Sequence, residues 1–228
     1  MSSGSIVEDC DLKVEVLDGR KFDKSPEGIC ILVDVFRSTS SIPIILSQGA
    51  EYVIPTRTVK EARELRNKIP GALLIGERYG FKIVKFDYGN TPALLWKTDF
   101  SHRVVIFTST NGTKVLNKIS GAEAVYISSF INHAATCSKV SSAEKVQIYV
   151  SGRPDGRAEE DELYADFLAA DLEGRKPDPH KVIDKVKHSS GARRLRLMGF
   201  EEDIEASLRF NSVDFAVRYL DGKIVRDT

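Results

Sequence analysis

Short, nearly unbroken apolar runs alternate along this chain with longer stretches of helical periodicity. Residues 12–17, 29–35, 51–54, 72–75, 103–108, 124–128 and 146–151 read as strands, several apolar enough to be covered on both faces. Between them, residues 38–48, 58–69, 113–119, 132–140 and 159–172 read as helices. Gly49 closes the first of these, with Pro43 expected near its first turn. Thr58 and Glu61 have capping-box spacing at the start of the second. After a charged link, 173–180, the pattern is helical to about residue 210. Strands at 213–219 and 223–225 then flank Asp221-Gly222, a hairpin signal. This alternation predicts an α/β fold with a mainly parallel sheet flanked by helices. It also allows two α/β lobes, residues 1–100 and 101–228, split near Ser101 with the active site between them. Residues 76–92 carry little periodicity and read as an irregular, polar and functional loop.

Composition narrows the classes of function. Basic and acidic residues number 33 each, so the chain lacks the basic footprint of a nucleic-acid binder. Apolar runs fall well short of the roughly 20 residues of a membrane span, and Met1 to Ser5 reads as a floppy leader without signal-peptide character. Cys10, Cys30 and Cys137 are far apart and form no C-x-x-C pair, which suits reduced thiols in a cytoplasmic protein. His102, His133, His180 and His188 show no zinc spacing, so a hard, oxygen-bound ion is the metal to expect.

Five polar clusters follow strands or lie in the irregular loop. They are Asp34 with Arg37, Ser38, Thr39 and Ser40; Gly76-Glu77-Arg78; Phe86 to Pro92, with Asp87 and Asn90; Thr108 to Thr113; and Ser151 to Gly156, running into Glu160-Asp161. Open α/β sheets bind ligands at the carboxyl ends of their strands, where helix N–H groups hold anions. Each cluster alone has a plain structural reading, as a helix cap, a turn or an acidic first turn. Asp34 resists that reading, because a carboxylate ending a buried strand needs a partner. Together the acids supply hard oxygen ligands, and Arg37, Arg78 and Arg153 supply planar forks for phosphate or carboxylate. Other phosphatase signatures are missing. Cys30 and Arg37 stand one residue too far apart for a cysteine-phosphatase loop, and no second acid follows Asp34 at the spacing of aspartyl nucleophiles. Neither G-x-S-x-G nor a Walker loop occurs.

Val33-Asp34-Val35-Phe36-Arg37-Ser38-Thr39-Ser40-Ser41, Gly76-Glu77-Arg78, Phe86-Asp87-Tyr88-Gly89-Asn90-Thr91-Pro92, Thr108-Ser109-Thr110-Asn111-Gly112-Thr113, Ser128 to Asn132 and Glu160-Asp161 stand in one order. That series resembles the 2-phosphosulfolactate phosphatase family, magnesium-dependent phosphatases of coenzyme M biosynthesis. The chain departs from the family pattern at Val150-Ser151-Gly152 and at Tyr164-Ala165-Asp166. The resemblance implies hydrolysis of a phosphate monoester, (2R)-2-phospho-3-sulfolactate, to 3-sulfolactate and phosphate. It leaves two rivals: a phosphometabolite-binding protein without turnover, and another Mg²⁺-dependent enzyme on a phosphorylated acid.

On this reading Asp34, Arg37 and Asp161 are the catalytic candidates, and Mg²⁺ is held by a subset of Asp34, Glu77, Asp87 and Asp161. Arg37, Ser38, Thr39, Asn90, Thr110, Asn111, Gly112 and Thr113 meet the substrate, its phosphate above all, while Arg78 and Arg153 are candidates for its sulfonate or carboxylate. Asp34 is equally open to a role as nucleophile or as metal ligand. The expected partner is a small, multiply anionic substrate, with a homo-oligomer as the default assembly.

Overall fold

The computed structural model describes residues 12–21, 25–153 and 156–228. The leader, Cys10 and the Pro154-Asp155 part of the fifth cluster lie outside these. In chain order the elements are β1 (Lys13–Asp18), β2 (Ile29–Val33), α1 (Ser38–Ser47), β3 (Tyr52–Pro55), α2 (Val59–Lys68), β4 (Leu73–Arg78), β5 (Phe81–Lys82), α3 (Pro92–Leu95), β6 (Val104–Thr108), α4 (Gly112–Ile119), β7 (Ala124–Ser128), α5 (His133–Val140), β8 (Lys145–Val150), α6 (Glu159–Leu172), α7 (Pro179–Lys187), α8 (Ser190–Leu197), α9 (Glu201–Ser207), β9 (Ala216–Leu220) and β10 (Lys223–Asp227). A short 3-10 turn, Phe130–Asn132, leads into α5.

The strands form one sheet in the order β1-β8-β2-β7-β9-β10-β3-β6-β4-β5. It consists of two parallel blocks, β1-β8-β2-β7 and β3-β6-β4, joined by the antiparallel β9–β10 hairpin. Every step across the hairpin is antiparallel, so the two blocks run in opposite directions. Strand pairing ignores the boundary expected near Ser101: β1 and β2 pair with strands from the second half of the chain, while β6 lies between β3 and β4. A split there would cut both blocks, and the two-lobe reading is corrected to interleaved halves of one sheet.

Side-chain alternation explains why these runs are strands. In β2, Cys30 and Leu32 join a core containing Ile45 of α1 and Leu116 of α4, whereas Ile31 and Val33 join the opposite core, with Leu168 of α6 and Leu195 of α8. In β6, Val105 and Phe107 face the first core and Ile106 a smaller one under α2, with Ala62 and Leu74. Residues buried on both faces must be apolar throughout, and the buried parallel strands are nearly so.

Several local expectations hold. The Thr58 side chain accepts the Glu61 amide at 3.1 Å, and the Glu61 carboxylate reaches back to the Arg57 amide at 2.9 Å. Asp221 and Gly222, both at positive φ, make the turn between β9 and β10. Others shift. Pro43 is the sixth residue of α1, not part of its first turn. The segment expected to be irregular from residue 76 opens with the end of β4 and a Tyr79-Gly80 turn into β5, and is irregular as expected over residues 83–91 before α3 begins at Pro92. The basic helical stretch is cut into α7, α8 and α9, by the Ser189 cap and by Gly199 at φ +78°. Among the described residues no helix is long and apolar enough to cross a membrane.

Phe107 is fully buried in the core that couples β6 to α1 and α4. We expect Phe107→Ala to cost about 3–5 kcal/mol in denaturant unfolding, with little change in m-value.

Candidate active site

A cavity of about 350 Å³ opens at the ends of the strands, and loops from both blocks line it. β2 delivers Asp34, β4 delivers Glu77, β6 delivers Thr110 and Asn111, and β8 delivers Gly152 and Arg153. The first turn of α6 adds Glu160 and Asp161, and α8 covers the space with Gly191, Arg194 and Leu195.

Four buried carboxylates therefore face one hollow. Their surroundings differ. Glu77 bridges two turns: Oε1 accepts the Thr110 amide at 2.6 Å, and Oε2 accepts the Gly80 amide at 2.7 Å and the Thr110 hydroxyl at 3.0 Å. Glu160 pairs with Arg153 at 3.3 Å and accepts the Gly191 amide at 3.2 Å. Asp161 accepts the Val35 amide at 2.8 Å and the Ser151 hydroxyl at 3.3 Å. Asp34 takes hydrogen bonds from the hydroxyl and amide of Ser38. Among the described residues no cationic side chain lies within ion-pair reach of Asp34 or Asp161. Burial first, then neighbouring negative charge, makes both weaker acids. Asp34 is pushed up to about 6, and Asp161 is raised well above its ordinary value by burial, by Asp34 and by Glu160. Two such carboxylates suit a hard divalent cation, whose charge would remove the repulsion that burial amplifies.

Arg37 was expected to grip phosphate, but its guanidinium is already engaged. It donates to Asp203 of α9 at 2.6 Å and to the Gly80 carbonyl at 2.5 Å, and it lies 4.6 Å above the Phe200 ring. Both members of the ion pair are 3% exposed, so Arg37 braces the pocket wall against α9. Ser38 lines the pocket, whereas the Thr39 hydroxyl turns back to accept the Asp34 amide. Arg78 holds the Glu77 carbonyl and the Thr108 hydroxyl, outside the lining. Asp87 is corrected most clearly. Its carboxylate binds Arg66 at 2.5 Å and the Leu74 amide at 2.7 Å, away from the cavity, so it secures a loop.

Asn111 donates to the Gly152 carbonyl at 3.1 Å, linking the β6 and β8 loops, and the Thr113 hydroxyl and amide donate to Ser109 within their own turn. Gly112 begins α4 against the key acid: a Cβ there would stand 2.7 Å from Asp34 Oδ2 and 3.2 Å from Ser38 Oγ. Only glycine lets that backbone approach so closely. Asn90 lines the pocket with a buried Oδ1 that has no hydrogen-bond partner among the described residues, so a donor from water or ligand belongs opposite it. Arg153 holds Glu160 and the Ser190 hydroxyl. Sequence reasoning missed Asp203, Arg194 and Gly191. Asp203 looked like any acid in a helix's first turn, and Arg194 like one member of a solvated basic face. Among the described residues the Arg194 guanidinium has no acceptor, and it borders the cavity.

An α/β sheet with an acidic pocket at its strand ends suits an enzyme acting on a small anion, and comparison with known proteins narrows the class to phosphoric monoester hydrolases. A family model described as 2-phosphosulpholactate phosphatase matches residues 16–222. A probable 2-phosphosulfolactate phosphatase of Thermoplasma acidophilum is 41% identical over 93% of this chain and 95% of its own length. That of Thermoplasma volcanium is 36% identical over 94% and 99%. A third, from Carboxydothermus hydrogenoformans, is 42% identical over 36% of this chain and 34% of its own. The chain belongs to the 2-phosphosulfolactate phosphatase family.

The raised Asp34 carboxyl has a consequence for stability. Its folded value, about 6, exceeds the ordinary 3.8, so the folded chain binds this proton more tightly than the unfolded one. The group's stabilising contribution is complete below about pH 3.8 and lost as pH rises through 6. In buffers free of divalent cations, Asp34→Asn is expected to unfold at higher denaturant than wild type at pH 7. That advantage should shrink towards pH 4.

Proposed function

We propose that this protein is a Mg²⁺-dependent phosphatase that hydrolyses (2R)-2-phospho-3-sulfolactate to 3-sulfolactate and phosphate. The observation that carries the proposal is the convergence of Asp34 and Asp161, buried and without a fixed cation, on the cavity that Arg194 and Asn90 also face. The names of the full-length Thermoplasma relatives support the substrate.

Asp34 and Asp161 are the residues that would hold Mg²⁺, because they lie side by side without a cationic partner among the described residues, whereas Glu160 is paired with Arg153 and Glu77 ties the Thr110 turn to the Gly80 turn. Bound there, the ion would neutralise phosphoryl oxygens and acidify a water. The chain's own groups do the rest. Val35, Ser38 and Ser151 keep the two carboxylates oriented, and Glu77 fixes the Thr110 turn beside them. Arg194 offers a free fork to a second anionic group of the substrate, sulfonate or carboxylate. Arg153, half committed to Glu160, is positioned by it at the pocket edge. Leu195 and Met198 close the apolar side and limit water.

Phosphate release from a panel of phosphorylated hydroxy acids, with and without Mg²⁺, tests the reading. Wild type should require Mg²⁺ and prefer the sulfonated substrate. Asp34→Asn should lose at least about 10³-fold in kcat, as expected when an electrostatic anchor of the transition state is removed. Mg²⁺ should raise the thermal midpoint of wild type but not of Asp34→Asn. Arg194→Gln should raise KM for the sulfonated substrate about tenfold or more, with a smaller change for esters lacking the second anion. Turnover without Mg²⁺, or undiminished turnover in Asp34→Asn, contradicts the mechanism.

A further inference from the structure

A different set of donors lies at the far end of the helix that carries Asp161. His133 and Cys137 stand one turn apart on α5 and share a face, and Asp171 in the last turn of α6 closes on them. His133 Nε2 is 3.0 Å from Asp171 Oδ2, and Cys137 Sγ is 3.6 Å from that nitrogen and 3.8 Å from that oxygen. Donors bound to one tetrahedral zinc at usual bond lengths stand about 3.3–3.6 Å apart. The three separations bracket that range before any ion draws them together.

The imidazole is also turned the right way. Tyr164 donates its single hydroxyl proton to the Ser129 carbonyl at 2.8 Å. At 3.3 Å from His133 Nδ1 the same oxygen therefore accepts, which puts a hydrogen on Nδ1, so that in the neutral ring Nε2 is the lone-pair nitrogen. That lone pair meets a carboxylate oxygen and a sulfur, three electron-rich atoms with only a proton or a metal ion to reconcile them. His133 is 2% exposed, while Asp171 and Cys137 are only partly covered, so solvent and an ion can reach the open side of the cluster.

We propose that His133, Cys137 and Asp171 bind a divalent ion of the zinc class, with water in the fourth position. Sulfur and imidazole select a borderline-soft ion and discriminate against Mg²⁺, so this site and the all-oxygen pocket take different metals. Coordination replaces the Cys137 S–H by a sulfur–metal bond and releases one proton to solvent. The ion ties α5 to α6 about 15 Å along the helix from Asp161, and so steadies the element that presents Glu160 and Asp161.

Cobalt reports such a site directly. Full-length protein stripped with chelator and kept in excess Mg²⁺ is titrated with equimolar Co²⁺. We expect a thiolate-to-cobalt charge-transfer band in the near ultraviolet and tetrahedral bands in the visible, both bleached by Zn²⁺. Cys137→Ser should lose the charge-transfer band, and Asp171→Asn should bind about tenfold more weakly or worse. Zn²⁺ should raise the thermal midpoint of wild type and leave that of Cys137→Ser unmoved. A wild type with no charge-transfer band, or a band that survives Cys137→Ser, overturns the proposal and reduces the cluster to a hydrogen-bonded His133–Asp171 pair.

Discussion

The organising constraint of this molecule is electrostatic: Asp34 and Asp161 are buried side by side, and among the described residues no positive side chain pairs with either. Water would solvate two such charges cheaply, and a protein interior does not. Everything around them compensates in part. Ser38 and Ser151 hydroxyls and the Val35 amide donate to them, and two of the three arginines that line the wall are tied to other acids, Asp203 and Glu160. The pocket is thus negatively biased by construction, which is the ground for the divalent cation proposed there. A purely structural cluster would have used the available guanidinium groups to cancel that bias.

Precision in the pocket comes from contacts between segments distant in the chain. Glu77 pins the Thr110 turn to the Tyr79-Gly80 turn, Asn111 pins the β6 loop to the β8 loop, and Arg37 pins the start of α1 to α9. Each link joins elements from different parts of the sheet or from its flanking helices. Side chains held this way lose little further freedom when a ligand arrives, which is the condition for a preorganised site.

Much of this was legible in the residues, and the exceptions are instructive. Asp34, Glu77 and Asn111 could be found because each follows or ends an apolar run, where α/β folds place ligands, and Asp161 because the polar cluster after β8 runs into it. Asp87 misled because it sits in the same kind of sequence context, yet Arg66 and the Leu74 amide claim its carboxylate. Arg37 misled in the opposite sense: it stands at the pocket, but its partner Asp203 is 166 positions away and no local pattern announces that pairing. The His133, Cys137 and Asp171 cluster escaped for the same reason. A search for zinc spacing within one segment cannot see a carboxylate 34 residues further on. The α/β class emerged from periodicity, whereas the interleaving of the halves did not, since apolar runs specify strands but not their neighbours.

The position of the β9–β10 hairpin bears on how the molecule is built. In chain order it comes after every other strand, yet in space it lies between β7 and β3. During synthesis both parallel blocks leave the ribosome with an open inner edge each, and the segment that seals those edges is made after them. Closure is therefore a late event drawing on widely separated stretches, a topology associated with slow folding and transiently exposed strand edges. The central seam, not the rim, is where a nascent chain of this kind is most vulnerable to pairing with the wrong partner.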